Sequence, residues 1–145
     1  MLLGPLTHPD LLAALCRAGH GAKILLADGN YPHSTGAARN AERIWLNFAP
    51  GLLGVEEILR VLTASVPIER AAVMVPEPDA LPEHRMDDIP AHAAYRELLP
   101  RVEVDELPRF AFYDAAQADE VAILIATGDQ RLYANIMLTI GTRPA

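Results

Sequence analysis

Cysteine is almost absent from this chain, since Cys16 is the one thiol in 145 residues. No intrachain disulfide can form, so the fold does not depend on an oxidising compartment. We interpret Cys16 as a small buried apolar residue. A catalytic thiol would need a neighbouring base, and the surrounding sequence offers none.

Positive charge and long apolar runs are also scarce. The chain has twelve Lys and Arg residues and nineteen Asp and Glu residues, which gives a net charge of -7. This balance argues against nonspecific binding to nucleic acids or anionic membranes, because both need a basic face. No apolar run approaches the roughly 18 residues of a membrane span, and the N-terminus lacks the pattern of a signal peptide. We therefore expect a cytoplasmic protein with no nucleic-acid partner and no membrane partner.

Apolar residues, in contrast, make up 51% of the chain, and the length favours a single domain over residues 1–145. Apolar periodicity predicts helices at residues 9–18, 54–65, 91–99 and 108–118. Short apolar or alternating runs predict strands at residues 23–27, 43–49, 71–75, 102–105, 121–126 and 135–140. Residues 76–90, with four prolines and five acidic residues, are expected to form a surface loop. The alternation of strands and helices predicts an α/β fold with a largely parallel central sheet flanked by helices.

A histidine stands between two glycines just after the first predicted helix, in Gly19-His20-Gly21. Glycine lets the backbone turn tightly there and leaves the imidazole uncrowded. Because imidazole exchanges protons near neutral pH, His20 is a candidate for proton transfer. The alternative is a solvent-exposed loop histidine without a function.

An acidic residue, Asp28, directly follows the predicted strand 23–27. Ligands bind at the carboxyl ends of strands in α/β sheets. A carboxylate at that place can orient an imidazole or accept a hydrogen bond from a hydroxyl group. The alternative is an ordinary turn formed by Asp28 and Gly29.

Three more candidates lie towards the C-terminus. Arg109 follows Pro108 at a predicted helix start, where the helix dipole prefers an anion, so a ligand role is favoured over an ordinary surface salt bridge. Tyr133 and Asn135 flank Ala134, and strand alternation would put both side chains on one face. A phenol and an amide together can bind hydroxyl groups or relay a proton. The alternative for Tyr133 is a place at the rim of the core.

The sequence gives little indication of a metal site, a phosphate-binding loop or a serine nucleophile. The five histidines are scattered, at positions 8, 20, 33, 84 and 92, and no pair has the spacing of a metal motif. We expect no metal, with a catalytic metal as the alternative. The segment from Gly51 to Gly54 lacks the Gly-Lys-Ser/Thr ending of a phosphate loop. Neither Ser34 nor Ser65 lies in a Gly-x-Ser-x-Gly context.

Taken together, these segments resemble the RbsD/FucU family of ribose pyranases and fucose mutarotases, and the fucose branch more closely. The resemblance covers nearly the whole chain. No single motif is diagnostic, and the resemblance depends on the order and spacing of several segments together. Its segments are Pro9-Asp10-Leu11-Leu12, Gly19-His20-Gly21, Asp28 with Pro32, Arg109 to Tyr113, and Thr127-Gly128 through Asn135. The ribose branch usually has histidine where this chain has Arg109.

The resemblance implies an RbsD-like fold and an isomerase that interconverts the anomers of a monosaccharide, L-fucose or a similar sugar, without a cofactor. It implies that His20 carries the proton, with Asp28 as its partner and Tyr133 as a third catalytic group. Arg109 and Asn135 would bind the sugar together with Asp28 and Tyr133. The resemblance also implies a homo-oligomer, typically a decameric ring, with sites between subunits. A noncatalytic sugar-binding or transport-accessory protein on the same fold is the alternative.

Two departures from the fucose branch bear on the substrate. That branch usually has glycine where this chain has Ala134, and it has an Arg-Ala-Asp-Gly segment where this chain has residues 40–44, Asn-Ala-Glu-Arg-Ile. The loop from Asn30 to Ser34 differs as well. These changes affect the identity of the sugar more than the class of reaction.

Overall fold

The computed structural model describes residues 2–143, except for the side chain of His84. The predicted single domain therefore includes three residues, at positions 1, 144 and 145, that lie outside the described part. The helices are α1 (Pro9–Ala18), α2 (Val55–Thr63), α3 (Pro90–Leu98) and α4 (Arg109–Ala116), with one 3-10 turn at Pro82–His84. The strands are β1 (Lys23–Ala27), β2 (Glu42–Trp45), β3 (Ile68–Val75), β4 (Glu103–Pro108), β5 (Val121–Ala126) and β6 (Ile136–Ile140).

The six strands form one mixed sheet in the order β2-β5-β1-β6-β3-β4. Strand β6 is antiparallel to both of its neighbours, β1 and β3, whereas the other three strand pairs are parallel. The prediction of an α/β fold with a largely parallel sheet is confirmed. Because β6 opposes the rest, its first residue lies at the edge where the parallel strands end.

Helix α1 begins and ends where the sequence indicates. Its N-cap is His8, whose Nδ1 accepts a hydrogen bond from the backbone N–H of Leu11 at 3.2 Å. One prediction for this helix is wrong. Cys16 is exposed and not buried. Leu11 and Ala14 supply the buried face of the helix, and Cys16 follows Ala14 by two residues, which at 100° per residue places it on the opposite face.

Three strands differ from the predictions by more than one residue at an end. Strand β2 ends at Trp45, whereas the prediction extended it to residue 49. Strand β3 begins at Ile68, before the polar residues Glu69 and Arg70 that concealed it from an apolar pattern. Strand β4 extends to Pro108, because it pairs only with β3 and an edge strand tolerates a proline.

The central strands are buried on both faces of the sheet. Ile24 and Leu26 of β1 pack into the larger core, which the helices α1, α2 and α3 cover. Leu25 and Ala27 point to the other face, where Phe112 of α4 and the segment from Tyr31 to Ala41 cover them. Within residues 2–143, none of the helices has the length and apolar character that crossing a membrane requires.

Candidate functional site

Polar side chains converge at the edge where the parallel strands end. Asp28 follows β1, Arg109 follows β4, and Asn135 precedes β6, so strand direction brings all three to one side of the sheet. They surround a cavity of about 210 Å³, whose lining is Asp28, Asn30, Tyr31, Met74, Arg109, Tyr113, Leu132, Tyr133 and Asn135. Four of the five predicted site residues therefore meet in one place.

Asp28 lines this cavity and is 3% exposed. Its Oδ1 accepts a hydrogen bond from the N–H of Asn30 at 2.9 Å, and its Oδ2 accepts one from Nδ2 of Asn135 at 2.8 Å. Burial raises the pKa of Asp28 above its usual value, against the opposing effect of these hydrogen bonds. A carboxyl group of this kind exchanges a proton closer to neutral pH than an exposed aspartate does.

The amide of Asn135 is largely occupied by Asp28. Its Oδ1 accepts a hydrogen bond from the backbone N–H of Asp28 at 2.8 Å, and its Nδ2 also contacts Sδ of Met74 at 3.7 Å. Asn135 lines the cavity, but its side-chain amide is hydrogen-bonded to Asp28. The predicted role in binding a ligand therefore comes with a second role, which is to hold Asp28.

Tyr133 reaches the cavity by a different route from the one that alternation predicted. Strand β6 begins only at Ile136, and Tyr133 lies before it with φ 59°, in the left-handed region. Both Tyr133 and Asn135 line the cavity, as expected, but a turn and not a pleated strand puts them there.

Arg109 stands at the first position of α4 and lies over aromatic rings. Its guanidinium carbon is 5.6 Å from the ring centroid of Tyr113 and 5.9 Å from that of Phe110. The Tyr113 ring in turn packs against Tyr31, with 5.4 Å between centroids. This stack places a cation with several donors at the rim of the cavity.

Tyr31 and Met74 also line the cavity, although neither was predicted as a site residue. Tyr31 is buried, and its hydroxyl donates to the carbonyl of Gly36 at 2.6 Å. Its place beside Pro32, just after Asp28, was a signal that could have been used. Met74 gives no such signal, because a methionine near the end of an apolar strand is indistinguishable from a core residue.

His20 is not part of this cavity within one chain. It precedes β1, whereas Asp28 follows β1, so the two lie at opposite edges of the sheet; five strand residues alone span roughly 17 Å. At its own edge, Nε2 of His20 is 3.1 Å from Oε2 of Glu69, and both side chains are exposed. The next residue, Gly21, donates its N–H to the carbonyl of Ile140.

The cavity thus combines a buried carboxyl group, a phenol, a guanidinium and an amide. All four can hydrogen-bond to hydroxyl groups, and the carboxyl group and the phenol can also transfer protons. Within residues 2–143, leaving aside the side chain of His84, no group of three or more His, Cys, Asp or Glu residues is arranged to hold a metal ion. The carboxyl group of Asp28 and the phenol of Tyr133 point to proton chemistry on a small polar ligand.

Comparison with known proteins gives a match over most of the chain. The profile of the RbsD / FucU transport protein family matches residues 1–143. A fucose mutarotase of Bos taurus is 33% identical over 144 residues, which cover 94% of this chain and 89% of that protein.

Solved structures agree with this match. A crystal structure of the fucose mutarotase from Streptococcus pneumoniae in complex with L-fucose superimposes with a TM-score of 0.78 at 27% identity, covering 99% of this chain and 100% of that one. Bacillus subtilis RbsD complexed with D-ribose has the same fold, with a TM-score of 0.81 at 22% identity over 99% of this chain and 100% of that one.

Proposed function

The chain belongs to the RbsD / FucU transport protein family, and from that premise we propose that it is a monosaccharide mutarotase that works without a cofactor. The resemblance that the sequence predicted is confirmed at the level of the family. The observation that carries the proposal is the buried carboxyl group of Asp28 beside Tyr133 and Arg109 in one small cavity.

The proposed chemistry is the opening and reclosure of a cyclic hemiacetal. A base removes the proton of the anomeric hydroxyl, the bond from the anomeric carbon to the ring oxygen breaks, and an acid protonates the ring oxygen. Rotation of the free aldehyde and the reverse transfers close the ring on the other face. General acid-base catalysis contributes about a hundred- to ten-thousand-fold, which suits a reaction that already proceeds in water.

We assign the proton-transferring roles to His20, Asp28 and Tyr133, and sugar binding to Arg109 and Asn135 together with Asp28 and Tyr133. The raised pKa of Asp28 supports its part, because burial makes the carboxyl group a stronger proton acceptor than an exposed aspartate. Arg109 at the rim offers donors to sugar hydroxyls.

The position of His20 leads to a proposal about assembly. Since β1 separates His20 from Asp28 in one chain, we propose that a neighbouring copy supplies His20 to the cavity. Large apolar side chains support a contact at the rim: Phe110 is 63% exposed and Leu132 is 56% exposed next to the cavity. The decameric ring stays a prediction of the resemblance, and the cytoplasmic location stays a prediction of the sequence.

We propose L-fucose or a close analogue as the substrate. Relatives from Bos taurus and Homo sapiens carry the name fucose mutarotase, at 33% and 32% identity. Arg109 stands where the fucose branch has arginine, whereas Ala134 and the loop from Asn30 to Ser34 differ from that branch.

NMR saturation transfer between sugar anomers tests the activity directly. With fucose, ribose and galactose in parallel, we expect the protein to accelerate exchange most for fucose. Binding of fucose without any acceleration would instead establish a noncatalytic sugar-binding protein.

Mixing inactive subunits tests the shared site. His20→Ala and Tyr133→Ala proteins should each lose exchange, and activity should return when the two are mixed and their subunits exchange. Each variant remixed with itself is the control. No recovery after verified subunit exchange would contradict a site shared between copies.

A further inference from the structure

Tyr133 holds a backbone conformation that needs support from its surroundings. Its φ of 59° lies in the left-handed region, where Cβ crowds the backbone. Among the described residues, Leu53 is the one other non-glycine residue with a positive φ. Such conformations persist where neighbouring structure enforces them, and they cluster at functional sites.

Helix α3 supplies that support from behind the cavity. Nε2 of His92 lies 3.0 Å from the carbonyl oxygen of Tyr133, and the hydroxyl of Tyr95 donates to the carbonyl oxygen of Ala134 at 2.9 Å. The two side chains are three residues apart, so they lie on the same face of the helix. Two neighbouring carbonyl groups of the turn, those of Tyr133 and Ala134, are thus held by two side chains on one face of α3.

Both helix residues are enclosed by the protein. His92 is 5% exposed and Tyr95 is fully buried. Because a carbonyl oxygen only accepts hydrogen bonds, Nε2 of His92 carries the proton. Burial lowers the pKa of His92, which favours the neutral Nε2–H form.

His92 does not reach the cavity that holds Asp28. It lines a separate cavity of about 460 Å³ between α3 and the segment from Val75 to Ile89. It therefore touches the turn that carries Tyr133 without lining the place proposed for the sugar. A role for His92 in the reaction would have to act through Tyr133.

We propose that His92 and Tyr95 are positioning residues, which fix the carbonyls of the Tyr133 turn and so direct its phenol into the cavity. This inference rests on the proposed function, in which the phenol takes part in proton transfer. With the hydrogen bond from His92 removed, the turn is free to relax towards an ordinary backbone conformation and the phenol leaves its place. Displacement of a reacting group by about 1 Å can cost about a hundredfold in rate.

The decisive comparison is between His92→Leu and His92→Gln. Leucine removes the donor, whereas glutamine keeps an N–H at a similar reach. We expect kcat for anomer exchange to fall about ten- to a hundredfold in His92→Leu, with KM changing much less, and to recover to within about threefold of wild type in His92→Gln. Tyr95→Phe, which removes only a hydroxyl, serves as the second probe should His92→Leu fail to fold, and it should lower kcat in the same direction.

Leu62→Ala is the matched control for a simple loss of stability. Leu62 lies in the buried face of α2 and has no group that can hydrogen-bond to the Tyr133 turn, and its truncation should lower the melting temperature while leaving kcat per folded protein unchanged. A spectroscopic signature is also expected: the 15N spectrum of His92 should show the neutral Nε2–H tautomer at pH 7.

Tyr133→Phe separates this inference from the proposed function. The double variant His92→Leu/Tyr133→Phe should be no slower than Tyr133→Phe alone, because the histidine acts through the phenol. A slow Tyr133→Phe protein together with full kcat in folded His92→Leu and Tyr95→Phe would overturn the inference and leave the proposed function standing. Full exchange in Tyr133→Phe would remove the phenol from the proposed chemistry and overturn the inference with it.

Discussion

Asp28 and Asn135 bind each other through two hydrogen bonds, although 107 positions separate them in the chain. The backbone N–H of Asp28 donates to Oδ1 of Asn135, and Nδ2 of Asn135 donates to Oδ2 of Asp28, both at 2.8 Å. The first bond sets the orientation of the amide, so the second necessarily presents a donor to the carboxylate. The pair joins the end of β1 to the start of β6 and holds a partly desolvated carboxyl group in place.

Replacing the amide by a second carboxylate should therefore disrupt the site. In Asn135→Asp the donor to Asp28 is lost and two buried carboxylates face each other, which we expect to lower the free energy of unfolding by about 3 kcal/mol at pH 7 and to abolish exchange. Such a pair has folded-state pKa values above the unfolded ones, so the stability deficit should shrink as the pH falls. Urea unfolding at pH 7 and pH 5 measures this.

Asn47→Asp is the control for the added charge. Asn47 is exposed and lines the neighbouring cavity beside Pro50 and Gln130. Its substitution should leave both stability and pH dependence near those of the wild type. An Asn135→Asp deficit that is no larger at pH 7 than at pH 5 would contradict the role of the amide.

Arg109→Lys tests the cation at the rim. Lysine keeps the charge but loses the planar guanidinium that lies over Tyr113, and it offers a single donor centre. We expect kcat/KM for fucose exchange to fall about tenfold, mainly through KM, with stability changed by less than about 1 kcal/mol. Arg17→Lys, at an exposed ion pair with Glu42, is the matched control and should leave exchange unchanged.

Arg131→Met tests an ion pair next to the site. Nη2 of Arg131 lies 2.7 Å from Oδ2 of Asp129, a carboxylate that is 4% exposed and also accepts the N–H of Val55 at the start of α2. Removing the arginine should cost about 1–3 kcal/mol, allowing for its own 37% exposure. Arg70→Met, at an exposed pair with Asp105, should cost less than about 1 kcal/mol.

The pH dependence of this pair has a definite sign. Burial acts to raise the pKa of Asp129, but the ion pair with Arg131 and the N–H donors outweigh it and hold the pKa below its usual value. The stabilisation is therefore present above about pH 4, the unfolded value, and is lost as the pH falls further. The difference in unfolding free energy between wild type and Arg131→Met should narrow in that range. A difference that stays constant down to pH 3 would contradict the assignment.

Exhaustive chelation should leave anomer exchange unchanged. Over residues 2–143, the His84 side chain aside, no cluster of three potential ligands is present, and the proposed chemistry moves only protons. Exchange rates before and after treatment with a chelator, followed by dialysis, measure this. Loss of activity that one particular metal restores would overturn the proposal of a cofactor-free reaction.

Local sequence patterns were enough for most of the secondary structure. The bounds of α1, β1 and β5 are those predicted, because helix start and stop signals or continuous apolar runs mark them. The polar start of β3 and the proline at the end of β4 were missed, since only pairing with β6 and β3 makes these residues strands.

The candidate site was predictable in part. Asp28 and Arg109 follow strands, so their place at one sheet edge follows from the rule for parallel strands. Asn135 lies at the same edge because β6 runs antiparallel to β1. The residues of β6 give no indication of that direction. The catalytic role of His20 stays a prediction, because in one chain it lies at the other edge.

The sequence by itself determined the class of the fold, the positions of the central strands and the family, because these depend on local periodicity and on the order of motifs along the chain. Only the tertiary structure decided which groups meet. The Asp28–Asn135 pair, the left-handed turn at Tyr133 and its attachment to His92 depend on contacts between residues distant in the chain. Such contacts arise from the order and direction of strands in the sheet, and no local pattern encodes them.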